Sequence, residues 1–205
     1  MADSDRKSHG WAHNVALVVA LLGIAGSIAV AVLTEQMRRD AQTLLLRRDA
    51  YAQYLDAVRN ADDSLRGYAF AIGTQVDVTV AYQRDASQQP AWAAARDELR
   101  IADDEVDTAW DEVLRTSDRL LLVASGDVLA QRRSLLSATH DRIEALERLR
   151  GALSAPDVTE WTPDEALVAF AVVKVEDQPL LDQFDASFGR FLSAVQLDVN
   201  SDSTA

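Results

Sequence analysis

Between Val15 and Leu33 the chain reads VALVVALLGIAGSIAVAVL, nineteen residues without one charged side chain. A helix rises about 1.5 Å per residue, so roughly 20 apolar residues cross a hydrocarbon layer of about 30 Å. No second run of that kind follows. The pattern therefore predicts one transmembrane helix over 15–33, preceded by a polar tail over 1–14 and followed by a long amphipathic remainder. Trp11 stands just before the run, where an amphipathic ring favours the headgroup layer. Inside it only Ser27 is polar, and its hydroxyl can bond to a carbonyl one turn back.

After the apolar run the period changes. Tyr51, Tyr54, Val58, Ala61, Leu65 and Tyr68 recur at steps of three and four, an apolar seam along a helix. Nothing between Leu33 and Tyr51 breaks a helix, so the membrane helix is expected to run on into the soluble part and to end near Gly73. Val76, Val78 and Val80 alternate like a strand but have no partner run, so residues 74–90 are expected to form a connecting loop or a helix extension. A second helix is predicted from Trp92, Ala95, Leu99, Ala102, Val106, Ala109 and Val113, closed or linked onward by Leu120–Val123. Ser125-Gly126-Asp127 reads as the start of a third helix, with a side-chain oxygen placed for free N–H groups. Its face is expected to be Leu129, Leu136, Ile143, Leu146, Leu149 and Leu153, ending before Pro156. Thr162-Pro163-Asp164-Glu165 is a capping box with Pro at the first helical position. Leu167, Phe170 and Val173 open a fourth helix. Pro179 is expected to kink or interrupt it, and Leu181, Phe184, Phe188, Phe191 and Val195 resume it.

Four amphipathic segments with short links predict an all-α fold: a transmembrane helix continuing into an antiparallel bundle of about four helices over 34–199, with a disordered tail over 200–205. Orientation follows from Lys and Arg near the ends of the span. Arg38, Arg39, Arg47 and Arg48 on the C-terminal side outnumber Arg6 and Lys7 on the other, which places the C-terminal bundle in the cytoplasm. The same four arginines are candidates for contact with anionic headgroups. A cleaved signal peptide is the competing reading, with Ala29-Val30-Ala31 as a cleavage site, but the apolar stretch is long for one. Ala16, Ala20, Gly23, Ser27 and Ala31 line up at spacings of three or four. Small residues in such a row let membrane helices approach closely, so self-association through this face is a candidate.

Composition narrows the functional classes. There is no cysteine, which excludes disulfides, thiolate metal sites and cysteine nucleophiles. The formal net charge is −13, and residues 151–205 carry ten Asp or Glu against Lys174 and Arg190. Apart from the juxtamembrane arginines no basic face exists, so nucleic acid is not an expected partner. The abundance of Arg over Lys, with Ala, Asp and Val, matches high-GC codon usage.

Candidate chemistry is sparse. Asp103, Asp107 and Asp111 share one helical face within a cluster that includes Asp104, Glu105 and Glu112. Stacked carboxylates could bind a hard cation, which would make a metal- or carboxylate-dependent enzyme domain the alternative reading. Bundle-type carboxylate centres use Glu-x-x-His pairs on facing helices, and none occurs, so the cluster reads as a solvated face. His140, beside Asp141 and near Glu144, is the only histidine of the soluble part and reads as a surface residue; His9 and His13 flank the span. Ser125-Gly126-Asp127 lacks the glycines and lysine of a phosphate loop. Trp92, Trp110 and Trp161 read as core anchors. No catalytic residue, metal ligand or cofactor site is expected.

Three places carry a family resemblance: Arg47-Arg48-Asp49-Ala50-Tyr51 with Tyr54-Leu55, the run Arg119-Leu120-Leu121-Leu122-Val123-Ala124-Ser125-Gly126-Asp127-Val128, and Phe188-Gly189-Arg190-Phe191-Leu192. In this order they resemble a loose group of small, single-pass membrane-anchored helical proteins of high-GC Gram-positive bacteria and their phages. The resemblance implies an anchored bundle acting as a scaffold, sensor or exclusion protein, and it supplies no catalytic residues. The expected partners are the lipid bilayer, a protein and a second copy of the chain. The third reading is an extracytoplasmic helical binding protein.

Overall fold

The computed structural model describes the backbone of residues 4–153 and 162–201. It describes the side chains of Ser27, residues 30–151, Thr162, Glu165, Val168, Ala171 and residues 178–200. Within these bounds the chain is all helical. Helix α1 spans Ser4–Arg84, α2 Gln89–Leu120, α3 Gly126–Leu153 and α4 Pro163–Ser201, with a short 3-10 turn at Ala86–Gln88. Two compact units divide the chain, Met1–Leu45 and Leu46–Ala205.

The second unit is an up-down-up-down bundle, and the α1 seam lies at its centre as expected. Tyr51, Tyr54, Val58, Ala61, Leu65 and Tyr68 are all buried. Tyr51 to Ala61 pack with Val113 and Leu120 of α2, Val128, Leu135 and Ala138 of α3, and Phe184 and Phe191 of α4. Leu65 to Ile72 pack with Leu99 and Val106 of α2 and with Ile143, Leu146 and Leu149 of α3. Rising numbers on α1 meet falling numbers on α2 and rising numbers on α3, the signature of antiparallel neighbours. The ring of Tyr54 stands edge-on to Phe191, centroids 5.1 Å apart.

Several expectations need correction. Helix α1 does not end near Gly73 but continues to Arg84. A glycine inside a helix costs about 1 kcal/mol relative to Ala, and burial of Ile72 and Val76 on either side offsets it. The alternation of Val76, Val78 and Val80 is incidental: Val76 and Val80 are buried one helical turn apart, with Gln75 and Thr79 beside them. The chain turns at Asp85, whose carboxylate accepts from the Ser87 N–H at 2.9 Å and from its hydroxyl. Those two donors, the backbone one first, hold the Asp85 carboxyl below its ordinary range. Pro90 then opens α2. Asn200 and Ser201 continue α4 rather than fray. Pro179 lies within an unbroken α4. Residues 154–161, with Pro156 and Trp161, lie outside the described residues.

Ile143, Leu146 and Leu149 of α3 are buried as expected, but in its first half Val128 and Leu135 are buried while Leu129 and Leu136 are half-buried flanks. The seven-residue spacing of Val128, Leu135 and Leu149 puts Arg142 at the third of four seam sites, where it is 2 % exposed. Its guanidinium donates to Asp62 of α1 at 2.6 Å. Asp62 also accepts from Arg66 at 2.9 Å. The expected starts of α3 and α4 are present. The Ser125 carbonyl accepts from Leu129 N–H at 3.0 Å. The Thr162 N–H donates to Glu165 at 2.7 Å while the Glu165 N–H donates to the Thr162 hydroxyl at 3.4 Å, a reciprocal capping box.

Among the described residues no helix is long and apolar enough to cross a membrane. The side chains of Ala16, Ala20 and Gly23, and most others of 15–33, lie outside the described residues.

Removing one partner of a buried ion pair strands the other charge and costs about 3–5 kcal/mol, whereas replacing both with apolar residues is often neutral or stabilising. Asp62→Ala should therefore lower the unfolding midpoint of the bundle sharply, and Asp62→Leu with Arg142→Leu should restore most of it. Thermal melts followed by circular dichroism check this; a single variant as stable as the parent would refute the role given to the pair.

Candidate functional site

The predicted site residues separate into groups that do not converge on one centre. Arg38 and Arg39 both donate to Glu35, each at 3.1 Å, on an exposed part of α1. Arg47 is half-buried and its charge acts on Tyr51, while Arg48 is exposed. Only Ser27 and Ala31 of the small-residue row have described side chains, and both are exposed.

The acidic row on α2 is likewise divided. Asp103 is largely buried and takes Arg150 of α3. Asp104 pairs with Arg100 at 3.2 Å, Glu112 pairs with Arg115, and Asp107 and Asp111 are exposed. Among the described residues no group of three or more His, Asp or Glu side chains is placed to hold a metal ion. His140 is exposed, contacts Glu144 at 3.1 Å and stacks on Trp110, centroids 6.1 Å apart. Trp110 does pack against both core clusters. Trp92 is not in the core: it stacks half-exposed on Tyr82 at the α1–α2 turn, with the Arg96 guanidinium 5.6 Å over its ring.

Among the described residues, two of the grooves on the bundle surface combine polar and apolar groups. One, of about 790 Å³, lies between the start of α3 and the end of α4, lined by Ser125, Asp127, Gln131, Arg190, Ser193 and Asp198. Two of its polar groups are engaged with the fold: Tyr51 donates to Asp198, and Arg190 donates to Ser187 at 2.9 Å. The other, of about 480 Å³, lies between α1 and α2 and combines Ile101 and Ala109 with Asn60, Asp104, Glu105 and Glu112. Neither is lined by a histidine or a lysine; the titratable groups on their rims are carboxylates and, in the first, Arg190.

Sequence reading missed the buried polar groups. Arg142 with Asp62, Arg150 with Asp103, and Arg132 with Ser117 each join α3 to another helix. The usable signal was the seven-residue spacing from Val128 to Leu149, which places a charge at a seam site. Burial, then the Asp198 carboxylate, pushes the Tyr51 phenol above its ordinary range. Burial, then Asp103, does the same for Tyr68. Tyr54 is raised by burial alone, against the opposing charge of Arg132, and its hydroxyl lacks a hydrogen-bond partner.

Comparison with family models, with curated proteins and with solved structures finds no match.

The three raised phenols give a pH dependence of defined sign. A phenol ionises near pH 10 in the unfolded chain but stays protonated in the fold, so the folded state holds more protons above that pH. The stabilisation is complete below about pH 10 and is lost as pH rises through the folded-state range. Tyr51, Tyr54 and Tyr68 should therefore ionise together with loss of helix in an alkaline titration. Tyr54→Phe, which removes an unpartnered hydroxyl, should change stability at neutral pH by no more than about 1 kcal/mol and move the alkaline transition upward. Tyrosinate absorbance rising near pH 10 for these residues while the helical signal stays intact would contradict this.

Proposed function

We propose that the chain is a single-pass membrane-anchored helical bundle that works by binding, not catalysis, with residues 15–33 as its anchor. The observation that carries this reading is the uncharged nineteen-residue run, followed by arginines and then by a helical bundle. Confinement to a bilayer concentrates the bundle against partners on the same surface, so modest recognition surfaces suffice. The bundle supports the same reading. Its core is filled by side chains, its buried polar groups serve interhelical pairing, and its grooves offer mixed polar and apolar rims. Arg38, Arg39 and Arg48 lie on the C-terminal side of the span, which favours a cytoplasmic bundle and contact with anionic headgroups. The resemblance to anchored proteins of high-GC Gram-positive bacteria and their phages points to a scaffold, sensor or exclusion role for such a module.

The absence of native cysteine makes the test direct. Single cysteines are placed at Ser4 and Ser201, and intact cells are labelled with a membrane-impermeant maleimide. The expected result is a membrane-bound chain labelled at Ser4→Cys alone, with removal of residues 15–33 releasing the bundle. Labelling at Ser201→Cys alone would reverse the orientation and make the bundle extracytoplasmic. A full-length chain recovered in the soluble fraction would overturn the anchor.

A further inference from the structure

The groove between α1 and α2 is built by side chains that recur at helical steps. Residues 101, 105, 108 and 112 of α2 follow one another by three or four, and so do 60 and 64 of α1. The groove therefore runs along both helices, for about 16 Å at a rise of 1.5 Å per residue. Its floor is made of small groups. Ala109 is half-buried there, Ser64 faces it from α1, and the Thr108 hydroxyl is satisfied within its own helix by the Asp104 carbonyl at 2.9 Å. Ile101 stands at one end, 50 % exposed.

The rim is acidic. From Asp103 to Glu112 helix α2 carries six acids and no base. Asp103 is turned inward to Arg150, but Asp104, Glu105 and Glu112 stand on the groove. Asp104 holds Arg100 at 3.2 Å and Glu112 holds Arg115, both along the helix and both exposed, where an ion pair is worth little and exchanges readily. Glu105 enters no ion pair among the described residues. Asp107 and Asp111 are exposed beside it and add to the same field.

An elongated groove with a floor of small groups accepts the ridge of another helix. Carboxylates along its edge set the sign of the charge that helix must carry, and they repel an acidic one. A second copy of this chain, with a net charge of −13, is therefore a poor occupant. We propose that the groove between α1 and α2 receives a basic amphipathic helix from a partner protein. Its apolar side chains lie over Ala109 and Ile101, and its Lys or Arg side chains meet Asp104, Glu105 and Glu112. The proposal rests on the binding reading, to which it gives a partner class, and does not depend on the anchor.

The test uses the full-length chain in nanodiscs of zwitterionic lipid, with empty discs as the blank. The probe is a fluorescent helical peptide of about five turns, built of Ala, Leu and Lys with the lysines flanking one apolar face. A twin peptide carries Glu in place of every Lys. Anisotropy should show binding of the basic peptide and not of its twin. Glu105→Lys should weaken that binding by about tenfold, whereas Glu147→Lys, the same charge change on an exposed site of α3, should leave it within about twofold. Ser64→Leu, which fills the floor without altering charge, should weaken it as Glu105→Lys does, and circular dichroism checks that each variant keeps its helix content. Equal losses at Glu105→Lys and Glu147→Lys would reduce the binding to net charge and overturn the groove. Failure of the basic peptide to bind, equal binding of the acidic twin, or indifference to Ser64→Leu would overturn it as well. A chain that proves soluble without lipid overturns the anchor instead, and the same titration in buffer then decides the groove separately.

Discussion

The bundle depends on a charge held where its helices would otherwise be apolar. Arg142 sits in the α3 seam, and Asp62 of α1 meets it at 2.6 Å. This pair lies at the junction of the two core clusters, between Ala61 and Leu65 on α1 and between Ala138 and Ile143 on α3. Sliding α3 by one turn would bring Arg132, Thr139, Glu147 and Arg150 to the places of Val128, Leu135, Ile143 and Leu146, so the apolar pattern already resists the shift. The shift would also drag a guanidinium into hydrocarbon and leave a carboxylate behind, at several kcal/mol each. Apolar packing supplies the stability of this fold and most of its register, and the ion pair adds a penalty for any slip that separates Arg142 from Asp62.

The same logic extends to both ends of the bundle. Arg150 meets Asp103 below the pair, and Arg132 meets Ser117 above it. All three arginines stand on α3, and they reach α1 or α2. Helix α3 therefore supplies three of the polar contacts between helices, beside the Tyr51–Asp198 hydrogen bond that joins α1 to α4. Its apolar face is correspondingly less pure than that of α1, whose seam is occupied by Tyr, Val, Ala and Leu.

This division explains what was legible in the sequence. Helix α1 could be placed because its seam obeys the apolar pattern, and α4 could be started at Thr162 because its capping box is a local signal. The second half of the α3 face, Ile143, Leu146 and Leu149, was legible, but its first half was misplaced by one residue because the pattern counts leucines, and Leu129 and Leu136 stand beside the true seam while Arg142 stands in it. Reading a charge as solvent-facing is right for most charges and wrong for one whose partner is eighty residues away. The extension of α1 past Gly73 was ambiguous for a related reason: Val76 and Val80 fit both a two-residue and a four-residue period, and only a covering helix decides between them. The acidic row on α2 shows the converse. Its regular spacing suggested one function, but Asp103 is engaged with α3 while Asp107 and Asp111 face solvent, so the row does not act as a unit.

The α1 seam builds the bundle only where other helices cover it. Along α1 the transition falls between Leu44 and Ala50, close to the division between the two compact units. Upstream of it Val30, Leu33 and Met37 are exposed. In a membrane-anchored chain Val30 and Leu33 would meet lipid, so their exposure there costs nothing and asks for no helix to cover it.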